Sequence, residues 1–248
     1  VPSADDLLWL AAPCLALMAA CAALVPLGAQ VLSRGVVFID LAVAQIAACG
    51  ALAAAVFVDH PARWVTGSAS ALAALVGSGV VWALSRAWPA QREALIGLVY
   101  VCGASFAVVG ASLEPHGRER LTELLAADVL WVPWSSVVLL VLMAAAVAWL
   151  ARGSRPRLAH DAVFYGVFAL TLSVAVSSLG LYLVFAMLIG PALWTRRTTS
   201  LPAAFGLAVL ACALGIGLSW AFDWPSGACV AMALSGLGLG VTLFSRGT

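Results

Sequence analysis

Residues 163–195, VFYGVFALTLSVAVSSLGLYLVFAMLIGPALWT, run for 33 positions without one charged side chain. A helix crosses the hydrocarbon core of a bilayer in about 20 residues, so this stretch is long for one span and short for two. Ser177, Ser178 and Gly180 are the only punctuation between its two halves, 163–178 and 180–195, and two readings are open: one long helix, or a tight hairpin at membrane depth. Arginine placement decides between them, because cytoplasmic loops of membrane proteins collect the basic residues. Working outward from this stretch, nine apolar segments can be drawn, at about 7–32, 36–58, 64–86, 93–113, 134–152, 163–178, 180–195, 202–222 and 226–245. With the hairpin, the inner loops hold Arg34, Arg86, Arg92, Arg152, Arg155, Arg157, Arg196, Arg197 and Arg246. The outer side then holds Arg63, Arg118 and Arg120 beside Asp5, Asp6, Asp59, Glu114, Glu119 and Glu123. Fusing the two segments would put the 152–157 and 196–197 clusters on opposite faces. The split version, with its amino terminus outside, is therefore the expectation.

Composition points the same way. Of 248 residues, 64% are hydrophobic and 9% charged, and the mean hydropathy is +1.09. Soluble domains carry roughly 45–50% apolar and about 25% charged residues. An outer-membrane barrel needs alternating polar and apolar positions, and these runs are apolar on every face. The expected fold is an all-α, polytopic transmembrane bundle of eight or nine spans, forming a single domain over residues 1–248. A net charge of +1 argues against nucleic acid as a partner. All twelve basic residues are arginine, so there is no lysine for a phosphate-binding loop. If ATP drives this protein, another chain hydrolyses it.

Smaller signals fit this frame. The six cysteines all lie in apolar runs without a CxxC pair and read as small packing residues. The acidic start (Asp5, Asp6) does not look like a cleavable signal peptide. Trp64, Trp88, Trp131, Trp134, Trp149, Trp194, Trp220 and Trp224 fall near span ends, where interfacial indoles belong. Segment 121–133 is too short to span and reads as an outer interfacial or re-entrant helix. Gly236 and Gly240 stand at GxxxG spacing and suggest close helix packing within the chain or a dimer seam.

Ionisable residues inside a span are rare and costly, so each is a functional candidate. Asp40 is the clearest. It follows Arg34 by six residues, about 9 Å along a helix, well inside the second segment. It reads either as a cation-pathway ligand or as a carboxylate satisfied by Arg34 or a neighbouring helix. Gln45 lies five positions on, about 140° around the helix, and reads as an interhelical hydrogen-bonding residue. His60 follows Asp59, His116 lies between Glu114 and Glu119, and His160 precedes Asp161. These read as solvated loop residues, although the outer pairs, Asp59 with His60 and Glu114 with His116, also suit electrostatic attraction of cations. No Ser/His/Asp arrangement, HExxH motif or pair of intramembrane carboxylates is present, which disfavours an intramembrane enzyme.

Four ordered stretches carry a resemblance. They are SRGVVFIDLAVAQIAACG (33–50), LAADVLWVPWSSVVLL (125–140), LGLYLVFAMLIGPALWTRR (179–197) and FDWPSGACVAM (222–232). Together they resemble the permease subunit of the metal-ion ABC importers, the zinc, manganese and iron uptake family. The resemblance implies a type II-like importer permease that is not itself an enzyme. It works as two copies in the bacterial plasma membrane, with a cytoplasmic ATP-binding subunit and an extracytoplasmic metal-binding protein. No permanent cofactor is implied; a divalent zinc, manganese or iron ion is the substrate, and Asp40 and Gln45 line its path. Many members place histidine four residues after the aspartate, where this chain has Ala44; others resemble the IDLAVAQ pattern found here. The inner loop 152–163, RGSRPRLAHDAV, is shorter than the usual ATPase-coupling segment. A compact element around 158–165 would serve, with Arg155, Arg157, Leu158, His160 and Asp161 at the contact. Rival readings are an importer of another substrate such as a metal chelate or vitamin, a non-transporting membrane assembly protein, and a secondary transporter. The last would be expected to show inverted repeats and several intramembrane acids, of which one good acid is found.

Overall fold

The computed structural model describes the backbone of residues 4–58, 61–112, 119, 122, 125, 127–152, 157–198 and 200–244, and the side chains of those between 10 and 240 other than 196–198. Among the described residues nine long helices follow one another: α1 (Ala4–Arg34), α2 (Ile39–Phe57), α3 (Arg63–Ala87), α4 (Arg92–Ser112), α5 (Trp134–Ala151), α6 (Asp161–Leu179), α7 (Leu181–Thr198), α8 (Leu201–Phe222) and α9 (Ser226–Phe244). Seven are long and apolar enough to cross a membrane, and the apolar parts of α7 (Leu181–Thr195) and α9 (Ser226–Gly240) are shorter. The chain is thus a polytopic all-α bundle.

The decisive stretch is a hairpin. Gly180 has φ 80° and ψ 154°, a conformation open essentially to glycine alone. Its N–H closes α6 on the Val176 carbonyl at 2.9 Å, and its own carbonyl accepts from the Val184 N–H at 3.2 Å, opening α7. One residue therefore turns the chain without a loop in the hydrocarbon zone. The direction of both arms is fixed by α1. Arg34, at the end of α1, bonds the backbone of Leu158 and Ala159 just before α6. Gly28, six residues earlier, lies against Leu188 and Ala192 at the middle of α7, and Trp194 beyond them bonds Leu237 near the end of α9. The start of α6 and the end of α7 therefore share the arginine-rich end of the bundle, together with Arg34, Arg86, Arg92, Arg152 and Arg157.

Helix α1 occupies the middle and packs on α5, α6, α7 and α8; α2 packs on α3, α4 and α6, and α9 closes against α7 and α8. In lipid, apolar burial gives little preference for one helix pairing over another, so close approach and hydrogen bonds decide. Glycine supplies the approach at the crowded points. A Cβ on Gly28 would strike the Leu188 carbonyl, one on Gly50 would come 2.6 Å from the Ala69 carbonyl, and one on Gly238 would come 3.2 Å from Gly190. Gly236 and Gly240, the expected packing pair, instead meet no heavy atom within 4 Å. The intramolecular role falls to Gly190 and Gly238, because the face of α9 that meets α7 carries Gly238. Hydroxyls tie α3 to α6: Ser70 to Ser173 at 3.0 Å, and Ser78 donating to the Tyr165 carbonyl at 2.7 Å. Most of the named tryptophans are exposed, as an interfacial belt requires, but Trp194 is buried and donates to the Leu237 carbonyl of α9 at 3.3 Å. It is a packing residue. Cys21, Cys212 and Cys229 are buried, Cys49 is half-buried, and Cys14 and Cys102 are exposed.

In a background with the native cysteines replaced by serine, His160→Cys and Ser200→Cys should label from one side of the membrane and Trp131→Cys from the other. Labelling of positions 160 and 200 from opposite sides would contradict the hairpin. Gly28→Val should lower the melting temperature of the detergent-solubilised protein sharply, since α1 must leave α7. Gly67→Ala, with nothing within 4 Å of its Cβ position, should leave it unchanged or raise it by the helix-propensity gain of about 1 kcal/mol.

Candidate functional site

The α1–α2 corner builds the site. Gly35 has φ 62° and turns the chain out of α1. The Val36 N–H bonds the Val31 carbonyl at 3.3 Å, and the Ile39 N–H bonds the Val36 carbonyl at 3.1 Å. Helix α2 begins at Ile39, so Asp40 lies in its first turn. The sequence expectation that Asp40 stands well inside the second span, about 9 Å along a helix past Arg34, is corrected by this corner, which leaves Asp40 as the second residue of α2. Glycine at positive φ breaks the helix there.

Asp40 is nonetheless fully buried, at 0% exposure, and neither carboxylate oxygen has a hydrogen-bond partner. Arg34 does not satisfy it: the guanidinium is turned to the other side of the corner, onto the segment before α6. A charge in such a place is expensive unless paired. Neighbouring helices set its level. Gly50 against Ala69 and Ala73, and Ile46 against Gly77, fix an antiparallel α2–α3 register that places Asp40 level with Trp82. On the other side the contacts Val37–Glu93, Ile46–Gly103 and Leu52–Gly110 fix a parallel α2–α4 register that places Asp40 level with Ile96 and Gly97. Trp82 Nε1 and Glu93 Oε2 are also buried without a hydrogen-bond partner. With Ser85 Oγ of α3, which is unpartnered as well, four residues with unsatisfied polar groups lie toward the arginine-rich end of α2, α3 and α4.

Gln45 is buried at 6% exposure, and its Cβ lies against Gly103 of α4. It is about 140° around the helix from Asp40. Ala44, one turn past Asp40, is buried and has no ligating group. Asp59, His60, Glu114, His116 and Arg155 lie outside the described residues. No group of three or more histidine, cysteine, aspartate or glutamate side chains that could hold a metal occurs among the described residues.

The segment read as the coupling element is a short turn, Arg157–Ala159, leading into α6 at Asp161. Leu158 is buried, the Arg157 guanidinium lies 4.6 Å over the Trp149 ring, and His160 is exposed at the amino-terminal cap of α6. Asp161 pairs with Arg34 at 3.4 Å. Sequence reasoning misses Glu93, and it reads Arg34 as a candidate partner of Asp40 and not of the segment before α6. Their partners are 56 to 127 positions away, and no local spacing announces them.

At the opposite end, two of the stretches that carried the resemblance meet. The Asp128 carboxylate accepts from the Leu130 N–H at 3.2 Å and from the Ser226 hydroxyl. The Ser226 oxygen in turn accepts from the Val129 N–H at 3.0 Å. Gly227 sits directly on the Ala127 carbonyl. The turn before α9 starts at Asp223, in the left-handed region at φ 54°. The DWPSGA motif (223–228) thereby seats the 127–133 segment, whose Val129–Trp131 part is a single tight turn.

Comparison with known proteins follows these lines. The sequence model of the ABC 3 transport family matches residues 151–245. No curated protein matches the sequence. Among solved structures, a chain of "PsaBC from Streptococcus pneumoniae in complex with Fab" superposes with a TM-score of 0.72 at 15% identity, covering 93% of this chain and 90% of that one. At that identity the likeness speaks for the fold. Residues 151–245 thus match the sequence model of the ABC 3 transport family, and the chain as a whole is a multi-pass helical bundle that shares the fold of the PsaBC chain it superposes on.

Proposed function

We propose that the chain is the permease subunit of an importer that moves a divalent metal ion, zinc, manganese or iron, across the bacterial plasma membrane into the cytoplasm. The arginine-rich end faces the cytoplasm. Two copies form the path, a separate cytoplasmic subunit hydrolyses ATP, and an extracytoplasmic metal-binding protein delivers the ion. The observation that carries this reading is Asp40, a fully buried carboxylate with both oxygens unpaired in an otherwise apolar bundle. A structural acid so fully buried would be expected to have a donor side chain; a transport ligand must keep its lone pairs for the passing ion.

The chemistry of a lone carboxylate suits passage more than storage. Two Asp40 groups from two copies offer oxygen ligands to a cation whose charge they offset. Without histidine or thiolate close by, such a pair does not build the closed tetrahedral site that holds zinc tightly. Conduction needs binding firm enough to enter and loose enough to leave. Alternating access, driven by closure of the ATP-binding subunits, would expose this level first to one side and then to the other. Gln45, facing α4, contributes to packing of the path and not to the ligand set.

Two outcomes test the proposal. Asp40→Asn keeps the volume and removes the charge; cells expressing it should accumulate none of the three metals above background, while the protein inserts in normal amount. Gln45→Ala should reduce uptake by about threefold or less, on the scale of one interhelical hydrogen bond. Normal accumulation with Asp40→Asn would send the search to the outer acids. The purified chain alone should hydrolyse no ATP and should copurify with a separate ATPase that cross-links to the 152–163 loop. Failure to find that contact would remove the mechanical basis of the reading.

A further inference from the structure

We propose that Arg34 is a positioning residue that links the 157–161 segment to the Asp40-bearing start of α2. Motion imposed on that segment by an ATPase would thereby reach the carboxylate. The inference rests on the importer reading above and deepens it.

The guanidinium is fully engaged. Its Nη2 donates to the Leu158 carbonyl at 3.0 Å and the Ala159 carbonyl at 3.2 Å. Its Nε donates to Asp161 Oδ1 at 3.4 Å. Its Nη1 donates to the Gln30 carbonyl at 3.5 Å and to the Gln30 side-chain oxygen. The plane lies 4.1 Å over the Phe164 ring. Arg34 therefore holds the last turn of α1 and the entry of α6 as one body. Lysine has three donors at a single point and no plane to stack, so it cannot reproduce this fan.

The other side of the corner is pinned as well. Three residues past Arg34, the Val37 N–H donates to Glu93 Oε1 of α4 at 3.0 Å. Gly35 and Val36 between them are held by backbone bonds to Leu32 and Val31. Ile39 begins α2 and Asp40 follows it. No slack loop separates the guanidinium from the carboxylate, so displacement of the 157–161 turn has a rigid route to Asp40. A simple staple would leave the same contacts, and the two roles differ in what their loss changes. Losing a staple lowers the amount of folded complex, and transport and ATP hydrolysis fall together. Losing a link changes the ratio of transport to hydrolysis.

The test uses the chain coexpressed with its ATPase partner, reconstituted in liposomes, with Zn²⁺, Mn²⁺ or Fe²⁺ offered singly. Uptake and ATP hydrolysis are each measured per assembled complex. In Arg34→Lys and Arg34→Ala, ions moved per ATP should fall by about tenfold or more, within the range of a coupling free energy between sites. Gly67→Ala, with nothing within 4 Å of its Cβ position and no part in the link, should stay within about twofold of the parent. An unchanged transport-to-hydrolysis ratio in both Arg34 variants, with a normally active parent, overturns the link alone. A parent chain that neither binds an ATPase nor takes up any of the three ions overturns the importer reading and the link with it.

Discussion

A carboxylate placed in an apolar bundle without a donor is a standing cost, and in this molecule the cost is concentrated at Asp40. The obvious counter-charge, Arg34, is six residues away and turned elsewhere, because Gly35 at positive φ breaks the chain between them. Had the helix continued, the two would share a face only loosely, and the arginine would be free to fold back. The corner separates them and gives each a task. Arginine binds carbonyls before α6, and aspartate is left with its lone pairs.

The surrounding fold maintains that separation. Helix α1, in the middle of the bundle, brings Arg34 to the entry of α6 and, through Gly28, lets α7 pack against it. Helices α3 and α4 flank α2 at a register fixed by Gly50, Gly77 and Gly103. Because lipid gives little preference among apolar contacts, these close approaches and a few hydroxyl bonds decide the arrangement. The outer end is built by different means, with Asp128 and Ser226 tying a short turn to the start of α9. One end is therefore organised by a guanidinium and the other by a carboxylate, both using backbone groups as partners.

Much of the fold was legible from residue patterns. Nine apolar segments predicted nine helices with ends differing by a few residues, and the arginine distribution alone separated α6 from α7 at Gly180. Glycine at that corner could be read as punctuation, although its φ and ψ could not. The Gly236 and Gly240 spacing did not mark the contact within the chain, since a GxxxG pattern does not say which face of a helix meets a neighbour; Gly238 makes that contact, and the dimer-seam reading concerns a second copy. Trp194 misled for a related reason, being near a span end yet turned inward to Leu237. In the site, Asp40 stood out because a charge in an apolar run is rare. The roles of Arg34 and Glu93 did not, because each acts on backbone brought in from another part of the chain. Long-range contacts of that kind leave no local spacing in a single sequence.

The account turns on whether a divalent ion meets the Asp40 carboxylate. Infrared difference spectroscopy of the purified permease complex in lipid, with and without Mn²⁺, measures this directly through the carboxylate stretching bands. The account predicts a metal-induced change in those bands that disappears in Asp40→Asn. An identical difference spectrum in the parent and in Asp40→Asn would contradict it.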